Sequence, residues 1–229
     1  MMSNSLNNPI WVALNTGSAT HAEGNDRVKY MHRDKGIFVG FKNFDEDAWK
    51  DISDWLSEDS QIILFTAETV NIPPAWEIKA NRQILQMVYE SNQPPDSSDG
   101  TSIVSLSSRD IPAMLDLTAR TKPGPFLSKT FQLGHYQGIF DGEKLVAMSG
   151  QRLRPDPYVE ISAVCTDPGY VGRGFAGELV QNQVRCILAE SRVPFLHLNA
   201  DNYRAIKLYE KIGFRLTQKI LLNILQKAG

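Results

Sequence analysis

The sequence predicts an α+β fold in which a mixed central sheet is flanked by helices. Two observations lead there. From residue 101 onward, stretches of strand character alternate with stretches of helical periodicity, and one strand runs directly into a glycine-rich turn that opens a long helix. Such alternation buries one face of each helix against a sheet. The 229 residues are 42% apolar and 22% charged, a globular balance that sets aside disordered, collagen-like and coiled-coil classes.

A break divides the chain at Asn92-Gln93-Pro94-Pro95-Asp96-Ser97-Ser98-Asp99-Gly100. Prolines remove backbone donors, and the polar run offers no apolar face to bury. Residues 1–92 therefore read as one domain, 93–100 as a linker and 101–229 as a second domain. Composition shifts at the same place: Trp11, Trp49, Trp55 and Trp76 precede the break, whereas Cys165 and Cys186 follow it. In the first half, residues 45–56 read as a helix, with Trp49, Ile52, Trp55 and Leu56 on one face and Asp51 and Asp54 turned away. Residues 61–66 read as a buried strand and 83–89 as another, with Pro73-Pro74 between them. No catalytic cluster falls here. Two indoles on one helix face suit a packing or pairing role, which leaves a homodimer open.

In the second half, residues 103–107 read as a strand, and Ser108 or Asp110 as the cap of a helix over 111–120. Residues 136–140 and 144–152 form strands joined by a turn at Asp141-Gly142, and 159–166 form a third. The helix after the glycine turn runs to about residue 190, with Ala176, Leu179, Val180, Val184, Ile187 and Leu188 in one stripe. A short strand over 195–198, a helix over 203–212 and a strand over 214–226 complete the series.

Several function classes drop out. Net charge is −2 and no basic block offers a phosphate-backbone footprint, so nucleic acid is not an expected partner. No apolar run approaches about 18 residues, so no membrane span is expected. The N-terminus lacks the charged-then-apolar order of a signal peptide. Two thiols, one in a strand and one in a helix, read as reduced and packed. These features predict a cytoplasmic protein. No His or Cys pair has zinc spacing, so no metal is expected.

The chemistry resides in the loop Gly169-Tyr170-Val171-Gly172-Arg173-Gly174-Phe175-Ala176. Glycines let a backbone approach a ligand, and the unpaired amides at a helix start favour an anion. A P-loop would need Gly-Lys-Ser/Thr, but Phe175-Ala176 follows Gly174. A dinucleotide fingerprint gains a third glycine at Gly177 but lacks the acidic residue about twenty positions on. That reading is weakened and stays open as a nucleotide-dependent oxidoreductase.

Three segments together resemble the GNAT superfamily of N-acetyltransferases. They are Ile161-Ser162-Ala163-Val164-Cys165-Thr166-Asp167-Pro168, the glycine turn, and Asn202-x-x-Ala205-x-x-Leu208-Tyr209-x-x-x-Gly213-Phe214. The resemblance covers residues 101–229. The stretch from Thr121 through Phe126 to Glu160-Ile161-Ser162 is also similar to a subgroup with a degenerate GNAT-like N-terminal half, which residues 1–92 would form. One departure is Gly169, which stands where the family usually has Gln or Arg.

The resemblance implies that acetyl-CoA serves as co-substrate, with its phosphates on Val171, Gly172, Arg173, Gly174, Phe175 and Ala176. Arg173 would supply the charge missing at Gly169. Val164, Cys165 and Thr166 would face the pantetheine arm where two parallel strands splay apart, and an amide there could hold the thioester oxygen. Asn202 suits both a contact to that arm and a helix N-cap. Tyr209 is the candidate general acid for the departing thiolate, or else packs with Ile206 and Ile212. Glu160 is the candidate base toward a small-molecule or amino-acid amine, or else an edge carboxylate or a binder of substrate charge. His197, among Phe195, Leu196 and Leu198, reads as a satisfied core histidine. Cys165 has no basic partner nearby, which favours direct transfer over a thiol intermediate. Loops over 121–130 and around Gln151 are expected to wall the acceptor pocket. A non-catalytic acyl-CoA-binding regulatory module remains the alternative.

Overall fold

Residues 5–41 carry no strong periodic signal, and the elements they form are short. The computed structural model describes residues 5–91, 93–96 and 100–228. A helix, α1 (Pro9–Asn15), starts on a proline, which fits a first helical position, and buries Ile10, Ala13 and Leu14. Strands β1 (Ala22–Gly24), β2 (Val28–Met31) and β3 (Val39–Phe41) make a small antiparallel sheet. Helix α2 (Glu46–Trp55) follows, capped by Asp45, whose carboxylate accepts from the Ala48 amide at 2.9 Å. Trp49, Ile52 and Leu56 are buried as the periodicity requires. Trp55 is not: it stays 40% exposed, its ring beside Tyr30 of β2 instead of beneath the helix.

The large sheet takes strands from both sides of the proline-rich break. Before it come β4 (Gln61–Thr66) and β5 (Trp76–Tyr89). After it come β6 (Val104–Ser105), β7 (Gln137–Asp141), β8 (Lys144–Gln151), β9 (Tyr158–Thr166), β10 (Val193–Asn199) and β11 (Phe214–Lys227). Helix α3 (Ile111–Thr121) lies between β6 and β7, α4 (Phe175–Ala189) between β9 and β10, and α5 (Tyr203–Ile212) between β10 and β11. Asp110 stands at the N-cap of α3 without a side-chain cap bond, and Ser107 caps the 3₁₀ turn just before it, its backbone amide and the Asp110 carboxylate closing a capping box.

The strand order is β4-β11-β5-β10-β9-β8-β7-β6. Among these pairs only β9 and β10 run parallel; the rest are antiparallel. The break at 93–100, of which residues 97–99 lie outside the described residues, is therefore a division of the chain and not of the sheet. β5, which precedes it, sits between β10 and β11. β5 also begins at Trp76, well before residue 83. Residues 77–83 are mostly exposed on both faces and so show no alternation; pairing with β11 makes them a strand.

Side chains alternate across the sheet as strand geometry demands. Ile84, Phe195 and Ile220 face α1 and the first small sheet, joining Ile10, Leu14, Phe38 and Phe65. Leu85, Met87, Leu196 and Leu198 face the other way, against Val180, Val184 and Ile187 of α4 and Tyr209 and Ile212 of α5. The α4 stripe thus forms as expected, with one addition. Gln183 is fully buried in it, accepting from Gln151 at 3.1 Å and donating to the His135 carbonyl at 3.0 Å. No helix among the described residues is long and apolar enough to cross a membrane.

On β8, Gly150 faces the fully buried ring of Tyr136, and a Cβ there would lie 2.3 Å from ring carbons. Gly150→Ala is expected to destabilise the protein by about 1–3 kcal/mol through overpacking, measured as a lower urea midpoint with an unchanged slope.

Candidate active site

The site begins where two strands part. β9 and β10 pair over four couples, from Tyr158–Val193 to Ile161–Leu196, and then continue unpaired to Thr166 and Asn199. On its other side β9 shifts register against β8 between Ser162 and Cys165. Ala163 lies inside that irregularity with φ of +52°. A left-handed conformation costs a non-glycine residue about 1–2 kcal/mol, and a bulge is the usual device for bending a strand beside a site. The β10-facing edge of Val164, Cys165 and Thr166 is left without a strand partner.

A cavity of about 400 Å³ opens on this edge. Val164, Cys165, Thr166, Val171, Gly172, Gly174, Phe175, Ala176, Asn202 and Tyr209 all line it, as the sequence led us to expect. Arg173 does not; its guanidinium lies over the Tyr170 ring at 4.5 Å. Gly172 and Gly174 have φ of +96° and +86°, and a Cβ on either would meet nothing within 4 Å. Their requirement is conformational: glycine permits these angles and leaves the backbone bare toward the cavity. Helix α4 starts at Gly174 with no capping side chain, so its first amides stay free for an anion.

Sequence reasoning missed what anchors this loop. Asp167 accepts from the Gly169 amide at 2.9 Å and pairs with both Arg120 of α3 and Lys144 of β8. Tyr170 donates to Asp141 at 2.5 Å. The Asp-Pro pair beside the glycines was a visible turn signal, but its partners lie far off in the chain.

A second cavity, of about 320 Å³, adjoins the first and shares Val164, Cys165, Thr166, Asn202, Ala205 and Tyr209 with it. Thr121, Lys122, Pro123 and Arg152 supply walls, in line with the loops expected. Tyr209 stands between the two spaces. It is 7% exposed, burial pushes its phenol up to about 12, and its hydroxyl has no partner among the described residues. Thr166 Oγ1 is likewise buried without a partner. Asn202 caps α5, its side-chain oxygen accepting from the Ala205 amide at 3.1 Å, which leaves its NH₂ group unused. Burial raises the Cys165 thiol to about 11, so it stays protonated and inert. No cluster of three metal-ligand side chains occurs among the described residues.

Glu160 departs from its expected place. It lines neither cavity and is fully buried. Arg152 grips it bidentately at 2.8 and 2.6 Å, the Leu153 amide donates at 3.3 Å, and His197 Nδ1 lies 2.7 Å away. Burial alone would raise this carboxyl, but the Arg152 charge and hydrogen bonds, with those of His197, hold it down at about 2. So weak a base, with its oxygens already engaged, is not placed to deprotonate an amine. The local sequence hid this, since Arg152 and His197 reach Glu160 from other strands. His197 is the satisfied core histidine the sequence suggested: Gln86 donates to its Nε2 at 3.0 Å.

Arg152→Met is expected to cost about 3–5 kcal/mol, because it strands a buried charge, read by urea unfolding. Glu160 has its folded pKa depressed, so its contribution is full above about 4.5 and is lost as pH falls toward about 2. Thermal unfolding across that window is expected to show the loss, and Glu160→Gln to flatten it.

Known proteins share this architecture. The family described as FR47-like protein matches residues 136–221. N-alpha-acetyltransferase RimI of Mycobacterium tuberculosis is 34% identical over 84 residues, 35% of this chain and 52% of that protein. Mycothiol acetyltransferase of Corynebacterium efficiens is 30% identical over 82 residues, 35% of this chain and 28% of its own length. The chain thus spans about half of the first and little more than a quarter of the second. A solved GNAT-family structure from Novosphingobium aromaticivorans matches with a TM-score of 0.91 and 31% identity, covering 99% of this chain and 100% of that one. With likeness of that extent over the full length of both chains, the chain belongs to the GNAT family of acetyltransferases.

Proposed function

We propose that the protein moves an acetyl group from acetyl-CoA directly to a primary amine of a small molecule or amino acid. The observation that carries this reading is the pair of adjoining cavities that meet at Val164–Thr166 and Tyr209. One is built for a phosphate-bearing donor and the other is polar enough for an acceptor. An α-amine is the acceptor type in the name of the Mycobacterium tuberculosis relative. Both cysteines are free, which suits a reducing compartment, and we place the reaction in the cytoplasm.

The residues divide the work as follows. The glycine loop and the open amides of α4 hold the phosphates. The unpaired edge of β9 holds the pantetheine arm, with an amide near Val164–Thr166 directed at the thioester oxygen as charge builds there. The amine nitrogen attacks the thioester carbon, a C–N bond forms, and the C–S bond breaks. The ammonium loses one proton before attack and the amide nitrogen loses another, while the thiolate gains one; the products are an amide, free CoA and one net proton. Tyr209 keeps its proton at neutral pH and donates toward the sulfur. The burial that raises the phenol also disfavours a thiolate, which narrows the gap between the two groups. No carboxylate lines the acceptor cavity, so the released proton passes to solvent water and not to Glu160.

Two outcomes test this. Tyr209→Phe is expected to lower kcat about 10²–10⁴-fold while sparing acetyl-CoA affinity, followed by free-thiol release and calorimetry. Unchanged turnover, with chemistry shown to be rate-limiting, removes Tyr209 from the mechanism. Gly174→Glu in a folded variant is expected to abolish acetyl-CoA binding through a strained φ and a charge facing the phosphates. Normal affinity there would falsify the loop assignment. Stabilisation by acetyl-CoA without thiol release across a broad amine panel would favour a non-catalytic module instead.

A further inference from the structure

The acceptor cavity does not end at the second chamber. A third space of about 220 Å³ adjoins it, sharing Lys122, Pro123, Arg152, His197, Leu198 and Asn199 as lining residues. The walls change character along the way. The second chamber has the hydroxyl-bearing Thr121, Ser162 and Thr166 and the amides Asn199 and Asn202 in its lining, whereas the third space is faced by Phe38, Phe65, Ile63, Ile84, Leu222 and Ile224. Four of these six come from before residue 93, so the N-terminal half forms much of this apolar wall.

Charge is equally uneven. Arg82 and Lys122 line the third space, Lys122 lines both, and no Asp or Glu lines either. Neither of these two cations has an ion pair among the described residues, and both are exposed at the rim. The third cation, Arg152, is neutralised by Glu160 directly behind it. Two uncompensated positive charges beside an apolar chamber suit a ligand that combines one anionic group with an apolar side chain.

We infer that the acceptor is an amine bearing a carboxylate and an apolar side chain, a hydrophobic amino acid in chemical class. The inference rests on the acetyl-transfer reading only for where the amine sits. In this arrangement the carboxylate lies near Lys122 and Arg82, the side chain enters the space faced by Phe38 and Phe65, and the amine points to the Tyr209 end. A cationic polyamine is disfavoured by the same charges, and a peptide would lose the free carboxylate beside its terminal amine.

Calorimetry on the CoA-loaded protein tests this without turnover. The probes are L-phenylalanine, phenethylamine, glycine and the tripeptide Phe-Ala-Ala. Phenylalanine is expected to bind about tenfold or more tighter than each of the others, a gap of about 1.4 kcal/mol, and the gap over phenethylamine is expected to shrink with added salt. Arg82→Gln with Lys122→Gln, both at exposed positions, is expected to bring phenylalanine and phenethylamine close to parity. Equal or tighter binding of phenethylamine, glycine or the tripeptide overturns the inference, as does an unchanged preference in the double variant or no binding by any probe. Selective phenylalanine binding with no thiol release from acetyl-CoA would sink the acetyl-transfer reading and leave this one standing. Thiol release with phenethylamine but not phenylalanine would do the reverse.

Discussion

Glu160 sits on a central strand with no access to solvent, both oxygens of its carboxylate held by Arg152 and one of them also by His197. The chain of contacts continues sideways. His197 of β10 lies in register with Gln86 of β5, and Gln86 is paired to Gln218 of β11 by a side-chain bond of 2.8 Å. The amides of Gln86 and Gln218 both donate to the Leu6 carbonyl. Because Gln218 occupies the Gln86 oxygen, the Gln86 NH₂ faces His197 Nε2, which leaves Nδ1–H to donate to Glu160. One polar ladder therefore crosses β11, β5, β10 and β9 and ends on Arg152 just beyond β8.

Its position explains the site. Glu160 and the neighbouring Ile161 belong to the last paired couples of β9 and β10, and His197 is the first β10 residue after them. The ladder closes the sheet immediately before the strands separate, and the opening begins past Ile161 and Leu196. A buried ion pair is weak evidence for stability, since hydrophobic replacements often serve as well. Its use here is positional. Arg152 reaches the second cavity with its charge already cancelled, and its guanidinium packs on Phe38 at 4.7 Å. The unbalanced charge there and in the adjoining third space is left to Arg82 and Lys122.

The N-terminal segment acquires a role from the same geometry. β5 enters the sheet between β10 and β11, which brings Gln86 to the ladder and Arg82 and Ile84 to the acceptor end. Among the described residues, those lining the cavity beside the glycine loop all follow the break, whereas the third space is lined from both halves.

Much of this was legible beforehand. Glycines at 172 and 174, a helix stripe at 179, 180, 184 and 187, and the series from Asn202 to Phe214 encode local conformation. Such features depend on φ angles and on periods of two or 3.6 residues, which a sequence displays directly. The placing of Val164–Thr166 beside the loop came from the family resemblance and not from these local features. Tertiary structure alone decided the rest. Glu160 read as a candidate base or an edge carboxylate because its partners, eight and 37 residues away, are brought to it by the fold. Residues 77–83 showed no strand pattern, since they are exposed on both faces and are held by hydrogen bonds to β11. The insertion of β5 among later strands, and with it the shared acceptor wall, is a matter of long-range register. The sequence by itself determined the locally encoded elements and the glycine turn, through φ preference and periodicity; packing between distant strands decided which charges are buried, which are cancelled and which stay exposed.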